Sequence, residues 1–406
     1  MRPFLTILSV ISFLATSCTE PRIVSRDHRP HLSENFASLN AIWEKKILGR
    51  ITDLKVAHKT ASILIAAVPD YDQVKTLRRP VTQLWNAQGR LVWQKVMRSR
   101  VRKLAVSDDH HWTALATYDE NLRWINQKGK EVYRVPKTFC TPKFLNQKKQ
   151  LFCFYDDESH AGLGYRVFDY QAKEVVRYPT EKDVIGFDFS SDESFLGVAY
   201  AQGEFEFFDS EYCRIWSSSV PGEIIDLTVS NGPRPKLAVL FQKGSKKTGW
   251  KGQRLVFFDS QGKVLLQTSD FPEGHRIDFH PKGQALYLIG NQNQGQHLTM
   301  MSFSPKLRGF QRPEPLVFYE HEGDFPKKHQ LQDGSIWVDF EKISIPYEPG
   351  KKMNHVLGFD LTGKLKWSAP LSVGEGLFLY GLAEDREGKK IAISSDNSTL
   401  RLFSVH

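Results

Sequence analysis

Four groups of residues in this 406-residue chain have the types from which sites are built. Lys243-Gly-Ser-Lys246-Lys247-Thr-Gly-Trp250-Lys251 sets four cations around an indole. That combination suits anionic lipid, polysaccharide or an acidic protein patch, through charge with an aromatic anchor. Lys243, Lys246, Lys247, Trp250 and Lys251 are therefore the candidate partner-binding residues, although a solvated hairpin tip with its Trp folded back has the same composition. Asp108-Asp109-His110-His111 offers metal-ligand types, but inside a four-residue polar turn, and adjacent side chains on a strand point opposite ways. Asp156-Asp-Glu-Ser-His160 attracts cations yet lacks the Gly-turned spacing of a calcium loop. Cys140 and Cys153 flank a turn at Asn146-Gln147 nearly symmetrically, so they either pair in an oxidising compartment or stay as buried thiols. Directly opposed strand positions suit a disulfide badly. Cys213 has no partner in the sequence and is expected as a free core thiol. There is no phosphate-binding Gly loop, HExxH, EF-hand or G-x-S-x-G elbow, so no catalytic, metal or cofactor residue is assigned.

The chain begins with the pattern of an export signal: Arg2, an apolar run from Phe4 to Leu14, and small residues at Ala15-Thr-Ser17. Leu14-Ala-Thr-Ser-Cys18 resembles a bacterial lipobox, with Ala15 where Leu is usual. The resemblance implies lipidation at Cys18, and several acyl chains would give a stable anchor where one would not. Thr19 in place of Asp implies the outer membrane. Residues 1–17 are thus expected as a signal peptide, 18–35 as a polar tether, and 36–406 as the folded body.

The elements that would position these residues are strands, repeated. Gly358-Phe-Asp360-Leu-Thr-Gly363-Lys-Leu-Lys-Trp367 reads as a strand end, an Asp-x-x-Gly turn and a second strand carrying Trp. Asp bonds its own backbone to start the turn, and Gly takes the positive φ that a short hairpin needs. Related turns start at 86, 126, 169, 209, 259, 304, 360 and 404, spaced by 40 to 56 residues. That spacing sits in or near the range of propeller repeats. Each repeat opens with an apolar strand pair such as Leu104–Ala116 or Phe187–Ala199, so each makes four antiparallel strands. With 40% hydrophobic and 12% aromatic residues there is ample core material.

The last repeat ends at His406 without a fourth strand, while residues 36–48 form an orphan strand containing Trp43. The fold expected is all-β: one eight-bladed β-propeller, closed by pairing of the N-terminal strand with the C-terminal blade. Seven blades follow if the irregular repeat around 304 fuses with its neighbour. The long second-to-third connections (69–80, 156–164, 243–253 and 341–355) fall on one rim, which marks it as the contacting face if the lengthening is functional.

On the repeat and the lipobox-like start, the chain resembles the quinoprotein-like (PQQ-like) β-propeller lipoproteins, and within them the non-catalytic outer-membrane BamB type. WD40 propellers are the other relatives, but the Gly-His and Trp-Asp signatures are missing. Quinone-dependent members hold Ca²⁺ and cofactor with the help of a vicinal disulfide. This chain has no adjacent cysteines, so no cofactor is expected. The resemblance implies a non-enzymatic, lipid-anchored periplasmic scaffold that acts in protein interaction or envelope assembly. The alternative is a periplasmic glycan lyase or hydrolase with an axial active site, where His275, His280 and His329 are the residues to inspect. Net charge is +9 with the basic residues scattered, which suits a protein or anionic envelope partner. The membrane would be reached through the lipid anchor alone, with no nucleic acid bound and the chain monomeric.

Overall fold

The computed structural model describes residues 37–38, 40–69, 79–155, 164–245, 249–267, 273–279, 285–292, 295–302, 327–330, 336–339, 355–359, 365–370, 379–384, 390–395 and 399–404. The signal peptide, Cys18, the whole tether and the acidic stretch 156–160 lie outside them, as do the turns at 304 and 360–363.

Strands in chain order form eight separate sheets among the described residues, here numbered I to VIII. Sheet I comprises Arg50–Ala57, Ser62–Val68, Val81–Trp85 and Leu91–Val96. Sheet II comprises Val101–Val106, Trp112–Thr117, Asn121–Asn126 and Glu131–Pro136. Sheet III comprises Thr141–Leu145, Gln150–Phe154, Tyr165–Asp169 and Glu174–Tyr178. Sheet IV comprises Val184–Phe189, Leu196–Tyr200, Glu204–Phe208 and Arg214–Ser219. Sheet V comprises Gly222–Val229, Leu237–Ser245, Gly249–Phe258 and Val264–Gln267. Sheet VI has three strands, Glu273–Phe279, Ala285–Gln292 and Gly295–Ser302. Sheet VII comprises Lys327–Gln330, Ile336–Asp339, His355–Phe359 and Leu365–Pro370. Sheet VIII comprises Leu379–Glu384, Lys390–Ser395 and Thr399–Ser404, completed by Ala41–Lys46 from the other end of the chain.

The orphan strand goes where the sequence places it: Ala41 pairs with Phe403 and Trp43 with Leu402. Just before it, Ala37–Ser38 adds in parallel to the outer edge of sheet VII, Ala37 opposite Trp367.

In sheets I to V the two inner strands are the most buried, because both faces meet a neighbouring sheet; Ser62–Val68 is buried throughout. Apolar clusters join VIII to I, I to II, II to III, III to IV, IV to V and V to VI in unbroken sequence. The first strand carries a β-bulge near its start in sheets I, II, IV, V, VI and VIII. The recurrence is structural grammar, since a bulge sharpens the local twist that turns each sheet away from the last.

Two rims follow from the meander. First-to-second and third-to-fourth turns share one rim, where the Lys148 ammonium meets the Ser210 carbonyl and Tyr212 Oη donates to Gln150 Oε1 at 2.8 Å. Second-to-third turns and the links between sheets share the other. There Tyr118 N donates to Arg100 O (3.0 Å) and Ala201 N repeats the bond to Asp183 O (2.9 Å). We call these the turn rim and the link rim.

Candidate interaction surface

The repeated turn is built the same way five times. The side-chain oxygen of Asn86, Asn126, Asp169, Asp209 or Asp259 accepts the backbone N–H groups two and four residues on, at 2.9–3.0 Å. The residue at the fourth position has positive φ: Gly89 (71°), Gly129 (76°), Ala172 (58°), Tyr212 (62°) and Gly262 (80°). Glycine appears where the preceding sheet brings a Trp down onto the turn. A Cβ on Gly89, Gly129 or Gly262 would lie 2.9 Å from Trp43, Trp93 or Trp216. The indole N–H of Trp43 bonds Ala87 O (3.0 Å) and that of Trp216 bonds Ser260 O (3.1 Å). Where the turn carries Tyr212 instead, the preceding fourth strand has Val176, and the two share one cluster. The tryptophans are thus inter-sheet fasteners.

A second repeat lies three residues before the turns at 86, 126, 169, 209 and 404. Arg123 is 7% exposed and meets Asp119 (2.6 Å) and Glu131 (3.3 Å). Arg166 meets Glu174 in sheet III. Sheet IV reverses the order, with buried Glu206 held by Arg214 at 2.9 Å and by the hydroxyls of Tyr178 (2.8 Å) and Tyr200 (2.6 Å). Burial alone would raise the Glu206 carboxyl. The donors outweigh it and hold the group below the usual carboxylate range. Burial, helped by Glu206, pushes Tyr178 up to about 12. Sheet VIII has Arg401–Glu44 (2.7 Å), and sheet I a neutral Gln83–Gln94 pair (2.7 Å). The sequence reading missed these clamps, although their fixed offset from the turn is a signal.

Carboxylates on first strands also have structural work. Asp53 Oδ2 accepts Leu104 N (2.8 Å), Asp188 Oδ2 accepts Val229 N (3.0 Å), and Asp226 Oδ2 accepts Ile277 N (2.8 Å). Each is a strut to the first strand of the next sheet. On the turn rim, Glu193 accepts Asn146 N (2.8 Å) and Gln147 N (3.0 Å), and Asn146 Oδ1 accepts Asp108 N (2.9 Å).

Of the predicted partner-binding residues, Lys243 is half-buried and pairs with Gly222. Trp250 and Lys251 lie in a strand, with Trp250 opposite Gly244, and Lys246 and Lys247 fall outside the described residues. The stretch is a paired hairpin arm rather than an open loop, because the second and third strands of sheet V continue to Ser245 and from Gly249. His110 has positive φ (53°) and its ring bonds Thr60 Oγ1 at 2.9 Å across the seam, while His111 meets Asp109 at 3.2 Å. The described residues contain no cluster of three or more metal-ligating side chains. His275 occupies the bulge of its strand, His329 pairs with Trp337, and His280 lies outside the described residues.

Cys140 and Cys153 form a disulfide with Cα atoms 5.6 Å apart. They are not directly opposed. Cys153 faces Pro142, so the bridge runs diagonally from just before the strand, which removes the geometric objection. Cys213 is free but exposed rather than in the core. It sits at the last position of the Asp209 turn, whose backbone N–H is held by the Asp209 carboxylate at the surface.

The basic residues are less scattered than they read. Arg98-Ser-Arg100 lies in the link from sheet I to sheet II on the link rim, and Arg102 follows in the first strand of sheet II. The Arg102 guanidinium lies 4.4 Å from the centre of the Phe139 ring, which in turn meets Tyr118 edge-on at 6.0 Å. Tyr118 is 60% exposed and bonds Arg100 through the backbone, and Arg98, Arg100 and Lys137, in the links on either side of sheet II, are exposed as well. A cationic surface with exposed aromatic edges results, suited to an anionic segment.

No family model and no curated protein sequence matches the chain. Solved structures do. Sqt1 from Chaetomium thermophilum aligns with a TM-score of 0.60 at 12% identity, over 91% of this chain and 100% of that one. The fold is a WD40-like β-propeller. The C-terminal WD40 domain of Sif2 aligns with a TM-score of 0.59 at 11% identity, over 92% of this chain and 99% of that one. Sqt1 bound to the N-terminus of the ribosomal protein L10 aligns with a TM-score of 0.61 at 11% identity, covering 91% and 100%. At such identities the likeness is one of architecture.

Proposed function

We propose that this chain is a non-enzymatic interaction scaffold: a closed, eight-bladed propeller of the BamB-like lipoprotein kind, exported, lipid-anchored at Cys18 and facing the periplasm. The cationic, aromatic surface of Arg98, Arg100, Arg102, Tyr118, Lys137 and Phe139 carries the reading, because it groups recognition chemistry on one rim of a rigid body. Its partner is an acidic segment of a protein. Three observations support the reading. Asp53, Asp188 and Asp226 on first strands serve as struts between sheets, an arrangement that holds a frame together. The Cys140–Cys153 disulfide suits an oxidising compartment, in keeping with the export-like start. The architectural neighbour Sqt1 has been captured with the N-terminus of a ribosomal protein, which fits the capture of a short segment by this fold.

The test is a pull-down from detergent-solubilised envelope with the intact lipoprotein and with Arg98→Glu/Arg100→Glu. A stoichiometric acidic partner lost from the variant is the expected result. Equal recovery by both, or no partner with either, overturns it. Labelling with a radioactive fatty acid examines the anchor: the mature chain takes label and Cys18→Ala does not.

A further inference from the structure

Among the described residues, the outermost strands of sheets I to V have no strand on their outer side, and the sheets differ in how that edge is guarded. Counting residues after the turn-starting one, the sixth position is an exposed aliphatic side chain in sheets I to V (Val92, Val132, Val175, Ile215 and Leu265). Exposed β-branched residues are ordinary in strands and mean little alone. The fifth position discriminates. It is charged and clamped to the third strand in sheets II, III and IV, as Glu131, Glu174 and Arg214. In sheet I it is Leu91, 44% exposed, and no ion pair stands behind it: the third strand offers Gln83 to Gln94 instead. Charges on an outer strand are a standard defence against pairing with another chain; sheet I lacks one at the fifth position, and the one lysine of its outer strand, Lys95, is drawn to Glu131 of sheet II at 3.9 Å. Its outer strand, Leu91–Val96, exposes Leu91, Val92 and Val96, and among the described residues no strand lies on its outer side.

The molecule itself shows what such an edge accepts. Sheet VII has Leu365 at the same fifth position, and its outer strand carries a fifth strand, Ala37–Ser38, paired in parallel. The outer strand of sheet I also runs directly into the link at Arg98 and Arg100, the start of the cationic rim surface.

We infer that Leu91–Val96 is a strand-addition site for an extended segment of a partner protein, apolar at alternate positions and acidic where it passes Arg98. Backbone hydrogen bonds along the strand would provide the affinity, Leu91, Val92 and Val96 the side-chain register, and the arginines the direction. The inference rests on the scaffold reading above and specifies where and how the partner is held. Sheet V is also uncharged at the fifth position, Val264, but its outer strand Val264–Gln267 is shorter and is not continuous in the chain with that surface.

The probe is a synthetic nine-residue peptide of alternating Val and Thr with an acidic pair at its C-terminal end, and a second with the acidic pair at its N-terminal end. Binding to the full chain is followed by fluorescence anisotropy. Two further versions are N-methylated at every second amide, one in each phase. One orientation is expected to bind better, N-methylation in one phase abolishes binding, and Leu91→Glu, which restores the guard seen at Glu131 and Glu174, weakens it about tenfold. The control substitution Val132→Glu, on the outer strand of guarded sheet II, leaves binding unchanged, and circular dichroism confirms that both variants fold. Binding that survives N-methylation in both phases, or survives Leu91→Glu, overturns strand addition, as does absence of binding by either peptide. Self-association of the wild type that Leu91→Glu abolishes would overturn it in favour of a second copy of this chain. If Leu91→Glu still recovers the envelope partner that Arg98→Glu/Arg100→Glu loses, the edge fails as the site while the scaffold reading stands.

Discussion

The turn glycine and the tryptophan above it should behave as one unit. Gly89 has φ of 71°, and a Cβ there would lie 2.9 Å from Cγ and 3.0 Å from Cδ2 of Trp43. The left-handed conformation costs a residue with a Cβ about 1 kcal/mol. Seating a methyl against the indole pushes ring or turn aside, at about 1–3 kcal/mol more. Gly89→Ala should therefore destabilise by about 2–4 kcal/mol. With Trp43→Val in place only the backbone part remains, so Gly89→Ala then costs about 1 kcal/mol and the two changes couple by about 1–3 kcal/mol. The seam between sheets III and IV already has that relaxed form, with Val176 near Tyr212 at φ of 62°. Urea unfolding followed by far-ultraviolet circular dichroism on the four proteins of the cycle gives the numbers. A Gly89→Ala cost below about 1 kcal/mol, or a coupling within about 0.5 kcal/mol of zero, would refute the fastener.

Three other outcomes are expected. Glu206 is held below the ordinary glutamate value of 4.5, so the stability it lends is present above that value and disappears as pH falls through its folded value; Glu206→Gln should flatten the acid limb of a plot of urea midpoint against pH. Glu131 and Glu174 are depressed in the same direction and supply the limb that remains. Loss of the disulfide through Cys140→Ala/Cys153→Ala should cost about 3 kcal/mol for a loop of this length, whereas a maleimide added to the native oxidised chain should label Cys213 and spare that pair. Removing a strut with Asp188→Ala leaves Val229 N and Thr228 Oγ1 without that acceptor, and should cost about 1–3 kcal/mol by denaturant unfolding.

What the sequence determined by itself was the repeat, and the turns explain why. Each Asx side chain closes its own loop within five residues, and the positive-φ place is marked by Gly at 89, 129 and 262, so the information is local to the chain. The orphan strand at Trp43 was legible for a related reason, since a repeat with a missing strand and a strand without a repeat are both visible in the period. The seams were decided only in three dimensions. Gly89 meets Trp43 across two sheets, Glu206 and Arg214 exchange the charges used in the sheets before them, and Cys140 reaches Cys153 diagonally because the strand register places Pro142 opposite it. The grouping of Arg102, Phe139 and Tyr118, and the bare edge at Leu91, likewise exist only once neighbouring sheets are packed. Backbone conformation in a tight turn is fixed by a residue's immediate neighbours, but pairing register and sheet contact depend on which distant segments bury each other's apolar faces, and a single chain read in order does not contain that choice.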